Sequence, residues 1–128
     1  MNEKIIQRIF EVVEKKNLLD CDKTWSKGSI TYFEELKKEL EEVKEELNSN
    51  KAAYLETELA DVFWDYLNLL SNLEKEEKIV SDRVFERCLE KYTERISGIE
   101  EGKKWADIKE NQKKKLEQEQ KLLDIQKE

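Results

Sequence analysis

The chain has 128 residues, with 24 basic and 31 acidic side chains and a formal charge of −7, enough length for one ordinary core but not for two. Charged residues make up 43% and apolar ones 38%, proline is absent and glycine occurs three times; that balance suits long amphipathic helices and excludes a turn-rich sandwich or barrel. Histidine is absent, which excludes Ser-His-Asp and Cys-His catalysis, histidine-held zinc or haem and the Glu-x-x-His di-iron bundle, and leaves metal chemistry on carboxylates.

Helical spacing of apolar residues runs through most of the chain. Residues 2–16 place Ile5, Ile6, Ile9, Phe10 and Val13 on one stripe, and 17–28, with Asp20, Asp22, Ser26 and Gly28, reads as a loop. A second helix over 30–47 carries Phe33, Leu36, Leu40, Val43 and Leu47 at spacings of three and four. Asn48-Ser49-Asn50 is a polar break suited to a helix hairpin. The third helix, 51–73, is the most apolar and is expected to be central, with Leu55, Leu59, Val62, Phe63, Tyr66 and Leu70 as its core face. A fourth begins near Ser81, a plausible N-cap, and runs through Val84, Phe85, Cys88, Leu89, Tyr92 and Ile96 to an end bracketed by Gly98 and Gly102. Residues 103–128 carry 14 charges and read as a sparsely anchored helix or a frayed tail.

The expected architecture is therefore an all-α bundle of four to five helices, with a domain over 1–102 and a charged C-terminal helical extension over 103–128. Cys21 and Cys88 form no metal-type pair and read as reduced thiols. With no long apolar run and no signal-peptide core in the first ten residues, the expectation is a soluble, cytoplasmic protein with no membrane partner.

Charge is unevenly spread. Ten acids and four lysines lie between Glu34 and Asp61, a net −6 in 28 residues, whereas the stretch from Lys103 is only +2. No basic face suits a nucleic-acid polymer. Glu42 and Glu45 share one face of the second helix at i,i+3, a pattern that also fits a solvated face of Glu–Lys pairs. Glu58 and Asp61, with Asp65, form a stripe bordering the apolar face of the third helix. Partly buried carboxylates side by side either take up protons or receive a cation, unless they sit on a solvent edge. If the two helices fold back around Asn50, Glu42 and Glu58 each lie eight residues from it, level at roughly 12 Å along axes about 8–10 Å apart. Four carboxylates can then converge, and all-oxygen ligation suits Mg²⁺, with Mn²⁺ as the alternative.

Glu41-Glu42-x-x-Glu45 followed by Glu58-x-x-Asp61 resembles the Glu-Glu-x-x-Glu…Glu-x-x-Asp signature of MazG-type all-α nucleoside triphosphate pyrophosphohydrolases. Leu40 before the acids and Glu-Leu-Ala-Asp-Val running into an apolar helix agree with that frame. Trp25 and Glu90-Lys91-Tyr92-x-x-Arg95 resemble weaker family elements, and the region of Trp105 resembles a C-terminal extension of some members. The likeness covers about residues 20–105. The span from Glu45 to Glu58 is short for the family, and the Arg-His-Pro-His ending after the fourth helix is missing.

The resemblance implies Mg²⁺-dependent cleavage of a (deoxy)nucleoside triphosphate between its α- and β-phosphates, giving a monophosphate and pyrophosphate. It makes Glu42, Glu45, Glu58 and Asp61 the metal ligands. Glu41 and Glu45 carry the catalytic role, Glu41 as an alternative ligand or as the base that activates water. Lys91 and Arg95 share a helical face and either hold phosphates or form surface pairs with Glu94 or Asp61; Lys23 or Lys27 in the first loop could also reach phosphate. Trp25 either stacks on a nucleobase or packs against the bundle, and Asp65 either supports the ligands or faces solvent. The girth of the third helix, Trp64 above all, points to a homodimer or tetramer. The rival reading is a non-enzymatic helical interaction protein with residues 103–128 as a coiled-coil-like arm, although the seam of Leu116, Leu122, Leu123 and Ile125 is irregular.

Overall fold

A computed structural model describes residues 3–21 and 26–127. Among these residues the structure is all-α: α1 (Glu3–Cys21), α2 (Ser29–Glu46), α3 (Ala52–Lys75), α4 (Ser81–Glu100) and α5 (Trp105–Lys127), with no strand. The chain divides into two compact units, Met1–Ser81 and Asp82–Glu128.

In the first unit α2 and α3 form an antiparallel hairpin, and α1 packs on α3. The hairpin turns at Asn50, whose positive φ of 59° is one that asparagine tolerates better than most residues. Helix α1 runs to Cys21, so residues 17–21 are helix where the sequence suggested a loop. Their anchor is Asp20, buried, which accepts hydrogen bonds from Lys16 Nζ and from the Tyr32 hydroxyl. Tyr32 is itself buried; desolvation first, then the bond to Asp20, push its ionisation well above the usual tyrosine range. The amino end of α2 has no side-chain cap of its own. Glu76, just past α3, supplies one, accepting from Ser29 N at 2.8 Å and from Ser29 Oγ at 2.7 Å. A carboxylate at a helix amino end is favourable, and those two bonds hold Glu76 below the usual carboxylate range. Gly28 makes room for it: a Cβ there would lie 2.6 Å from Glu76 Oε2, on a backbone with φ of 87°.

The second unit is the hairpin α4–α5. Helix α4 passes through Gly98 and ends at Glu100, between the two glycines expected to bracket its end. Gly102, at φ 83°, closes it with Lys103 N donating to Gly98 O at 2.8 Å and Gly102 N to Ile99 O at 3.0 Å, the double bond of a Schellman end. Gly98 itself serves packing. A Cβ there would come within 2.4 Å of Ile108 Cδ1, so the missing side chain lets buried Ile108 of α5 seat against α4. Residues 105–127 are one continuous helix rather than a frayed tail. It is tied to α4 by Arg87, whose two terminal nitrogens donate to Glu119 at 3.0 and 2.7 Å.

The core is small: Val13, Tyr32, Leu67, Leu70 and Ile108 are the buried apolar side chains among the described residues. The face of α3 expected to fill it is partly turned outward, with Leu59 49%, Phe63 39% and Tyr66 37% exposed. Trp64, singled out as the residue needing cover, is half-buried. The inward side of α3 instead carries Asp65, Asn68 and Asn72, all buried. Asn68 and Asn72 donate to the carbonyls of Trp64 and Asn68 one turn back, at 2.9 and 2.8 Å, so each polar side chain is partly satisfied by its own helix.

Replacing Tyr32→Phe removes the hydroxyl donor to buried Asp20. Urea unfolding should show stability lower by about 1–3 kcal/mol with an unchanged slope. An unchanged midpoint would show that Asp20 does not need this donor.

Candidate metal centre

At 100° per residue, Tyr32, Glu39 and Glu46 lie along the middle of one face of α2, with Glu35 and Glu42 on one flank and Leu36 and Val43 on the other. On α3, Glu58, Asp61, Asp65, Asn68 and Asn72 recur at spacings of three and four, the stripe that faces a neighbouring helix in ordinary packing. The antiparallel hairpin sets Glu42 level with Glu58 and Glu39 level with Asp61. Where two helices would usually meet through leucine, these meet through carboxylates.

The geometry is tight. Carboxylate oxygens of Glu39, Glu58 and Asp61 all lie within 4.8 Å of one another. Glu42 lies within reach of a shared-proton bond to both Glu39 and Glu58, a bond open to a pair of carboxyl groups only when a proton lies between them. Burial, then the bond to Glu42, then the charges of Glu42, Asp61 and Asp65 push Glu39 up to about 7. Glu58 is raised as well, first by its bond to Glu42 and then by desolvation. Asp65, one turn on, is pushed up to about 6 by burial and by the charges of Glu35, Asp61 and Glu42. Crowded acids of this kind keep protons unless a cation replaces them.

Three further oxygens bear on what belongs there. Glu39 Oε2, Glu46 Oε2 and Glu58 Oε2 are buried without a hydrogen-bond partner. Unpaired carboxylate oxygens removed from water cost several kcal/mol, roughly, unless something positive meets them. A hard divalent cation meets that need with the oxygen ligands it prefers, so the donor set fits Mg²⁺ or Mn²⁺.

Of the residues singled out from sequence, the structure brings Glu58 and Asp61 together, with Glu42 exposed on α2 beside Glu58. It adds Glu39, which the sequence reading passed over, and leaves Glu41 and Glu45 exposed on α2, outside the group of gathered oxygens. The signal for Glu39 was available: it is three residues before Glu42, and pairing Glu39/Glu42 with Glu58/Asp61 lengthens the short span noted above by three residues. Trp25 and Lys23 lie outside the described residues. In the second unit Lys91 is exposed, with Nζ 5.7 Å from the centre of the Tyr92 ring. Arg95 is 7% exposed, its guanidinium 5.0 Å from the Tyr92 ring and 5.1 Å from the Trp105 ring. Its Nε donates to Gln112 Oε1 at 2.8 Å, and Gln112 Nε2 returns to the Lys91 carbonyl at 2.9 Å.

A raised carboxyl pKa means that the folded state binds more protons than the unfolded chain, so this contribution to stability is full below about pH 4 and lost as pH rises through 6 and 7. In EDTA, the melting temperature should therefore fall between pH 5 and pH 8, and millimolar Mg²⁺ should remove the fall. The variant Glu39→Gln should flatten the profile in EDTA. A wild-type profile that is flat in EDTA would contradict the crowding of these acids.

A family model described as the MazG nucleotide pyrophosphohydrolase domain matches residues 27–98, from the start of α2 through most of α4. No curated protein and no solved structure matches the chain. No helix among the described residues is long and apolar enough to cross a membrane. With more than half of its length matched, and the acid hairpin inside the match, the chain belongs to the MazG nucleotide pyrophosphohydrolase family.

Proposed function

We propose that the protein is a Mg²⁺-dependent hydrolase that cleaves the α–β phosphoanhydride of (deoxy)nucleoside triphosphates to a monophosphate and pyrophosphate, with Glu39, Glu42, Glu58 and Asp61 as the metal-holding carboxylates. The observation that carries the reading is the trio Glu39, Glu58 and Asp61, with oxygens within 4.8 Å and two of them buried without partners. Membership of the family supports the reaction class.

A triphosphate brings several negative charges to a site that is itself negative, so α2 and α3 alone would repel it. The cation, when bound, offsets that charge and acidifies an attacking water. The chain's part is positional: the hairpin fixes two carboxylates from each helix level with one another before substrate arrives. Lys91 is exposed and suited to a phosphate oxygen, and the terminal nitrogens of Arg95 make no hydrogen bond among the described residues, which leaves them open to an anion. Trp25 is retained as the nucleobase contact. We place the protein in the cytoplasm as a homodimer or tetramer, a reading supported by Leu59, Phe63 and Tyr66 on α3 and by Phe85, Leu89, Tyr92, Ile96 and Ile99 on α4. These are exposed apolar stripes at helical spacing.

Purified protein incubated with ribo- and deoxyribonucleoside triphosphates, with Mg²⁺ or EDTA, should release monophosphate and pyrophosphate only with the metal. Glu39→Gln, Glu58→Gln and Asp61→Asn should each lower turnover about 100-fold or more, with helix content intact. Glu41→Gln and Glu45→Gln decide the register. Near-normal activity in both places the ligands in the Glu39/Glu42 register. A loss in Glu45→Gln comparable to that in Glu58→Gln restores the Glu42/Glu45 register and Glu45 as catalytic. Exposed Leu116, Leu122 and Ile125 on α5 favour the interaction-protein reading, which folded protein without any nucleotide turnover would select.

A further inference from the structure

Arg95 is a buried cation that makes no ion pair among the described residues. In a chain with 31 acids, a carboxylate would ordinarily meet it. The positions three and four residues away on α4 are Lys91, Tyr92, Gly98 and Ile99, and the four at the same spacings around Gln112 on α5 hold no acid either. These are the places from which helical neighbours reach one another. Glu94, next in sequence, pairs with Lys115 at 3.9 Å.

The chain supplies a frame in place of a counter-charge. Tyr92 and Trp105 flank the guanidinium at 5.0 and 5.1 Å. Gln112 uses both ends of its amide: Oε1 accepts from Arg95 Nε at 2.8 Å, and Nε2 donates to the Lys91 carbonyl at 2.9 Å. The two Nη atoms of Arg95 donate to nothing among the described residues, and neither is among the atoms sealed from solvent without a partner. Both therefore open outward. Two ring faces lessen the cost of burying a cation but leave its charge. A guanidinium fixed at Nε with its Nη pair free is set to take one oxyanion with two hydrogen bonds.

We propose that Gln112 is a positioning residue that holds Arg95 so that its two Nη donors meet a phosphate group of the substrate. Resting on the hydrolase reading above, this makes α5 part of the phosphate-binding apparatus, through a residue beyond the family match, which ends at 98. A donor held in place before binding loses less entropy on binding. Its loss acts on KM rather than on kcat when the contact is the same before and during reaction.

Gln112→Glu separates positioning from packing. A glutamate keeps an acceptor for Arg95 Nε and ties α5 to α4, but its charge competes with phosphate for the guanidinium. The test is steady-state kinetics on the full chain with the triphosphate that wild type cleaves fastest, together with calorimetric binding of inorganic pyrophosphate in Mg²⁺. Gln112→Ala and Gln112→Glu should each raise KM and weaken pyrophosphate binding about tenfold, with kcat within about twofold and the melting temperature of Gln112→Glu no lower than that of wild type. Unchanged KM and pyrophosphate binding in Gln112→Glu overturns the proposal, because packing alone is then what Gln112 supplies. Wild-type turnover with both variants normal overturns this proposal and leaves the hydrolase reading standing. No turnover in wild type overturns both.

Discussion

Like-charge crowding between α2 and α3 is the constraint around which the first unit is built. Two helices joined by a five-residue connection must face one another, and the middle of their shared face carries Glu39, Glu42, Glu58 and Asp61. Such a face repels itself, so the pairing has to be enforced from outside it. The structure does this at both ends. Asn50 turns the chain at one end. At the other, Tyr32 and Lys16 converge on Asp20, and Glu76 holds Ser29 at the start of α2. With the ends pinned, the acids cannot separate, and protons or a cation must answer their charge.

The same constraint explains how little apolar surface is buried. A helix that gives its inward stripe to Glu58, Asp61, Asp65, Asn68 and Asn72 has that much less left for a core, and Leu59, Phe63 and Tyr66 are displaced toward the outside. Stability in a domain is a small difference between large terms, and here a share of it is conceded to a polar seam. Functional sites commonly depart from ordinary packing rules in this way. The second unit departs less. Its α4–α5 hairpin depends on Gly98 admitting Ile108 and on Arg95 lying between Tyr92 and Trp105 with Gln112 at its Nε.

Much of this was legible in the sequence. Composition pointed to long helices, and apolar spacing placed α2, α3 and α4 within a few residues of their ends. The end of α1 was misread because Asp20 and Asp22 look like loop residues, while the bond that keeps Asp20 in a helix comes from Tyr32, twelve residues away. Gly98 and Gly102 marked the end of α4, but only the position of Ile108 shows why a glycine is needed at 98. The acid hairpin was visible as a conjunction of two Glu-x-x-acid pairs about one turn. Its register was not, because Glu39, Glu42 and Glu45 are each three residues apart and any neighbouring two of them share a face. The inward side of α3 was likewise ambiguous, since hydrophobicity marks the core face only when the core is hydrophobic.

Amide hydrogen exchange of the whole protein at pH 7.5, with EDTA and with Mg²⁺, tests most directly whether a cation completes this seam. A bound ion should slow exchange in α2 around residues 35–46 and in α3 around 55–68, while α5 exchanges at the same rate in both conditions. Equal exchange in the two helices with and without the metal, at concentrations that saturate any binding, would contradict the account.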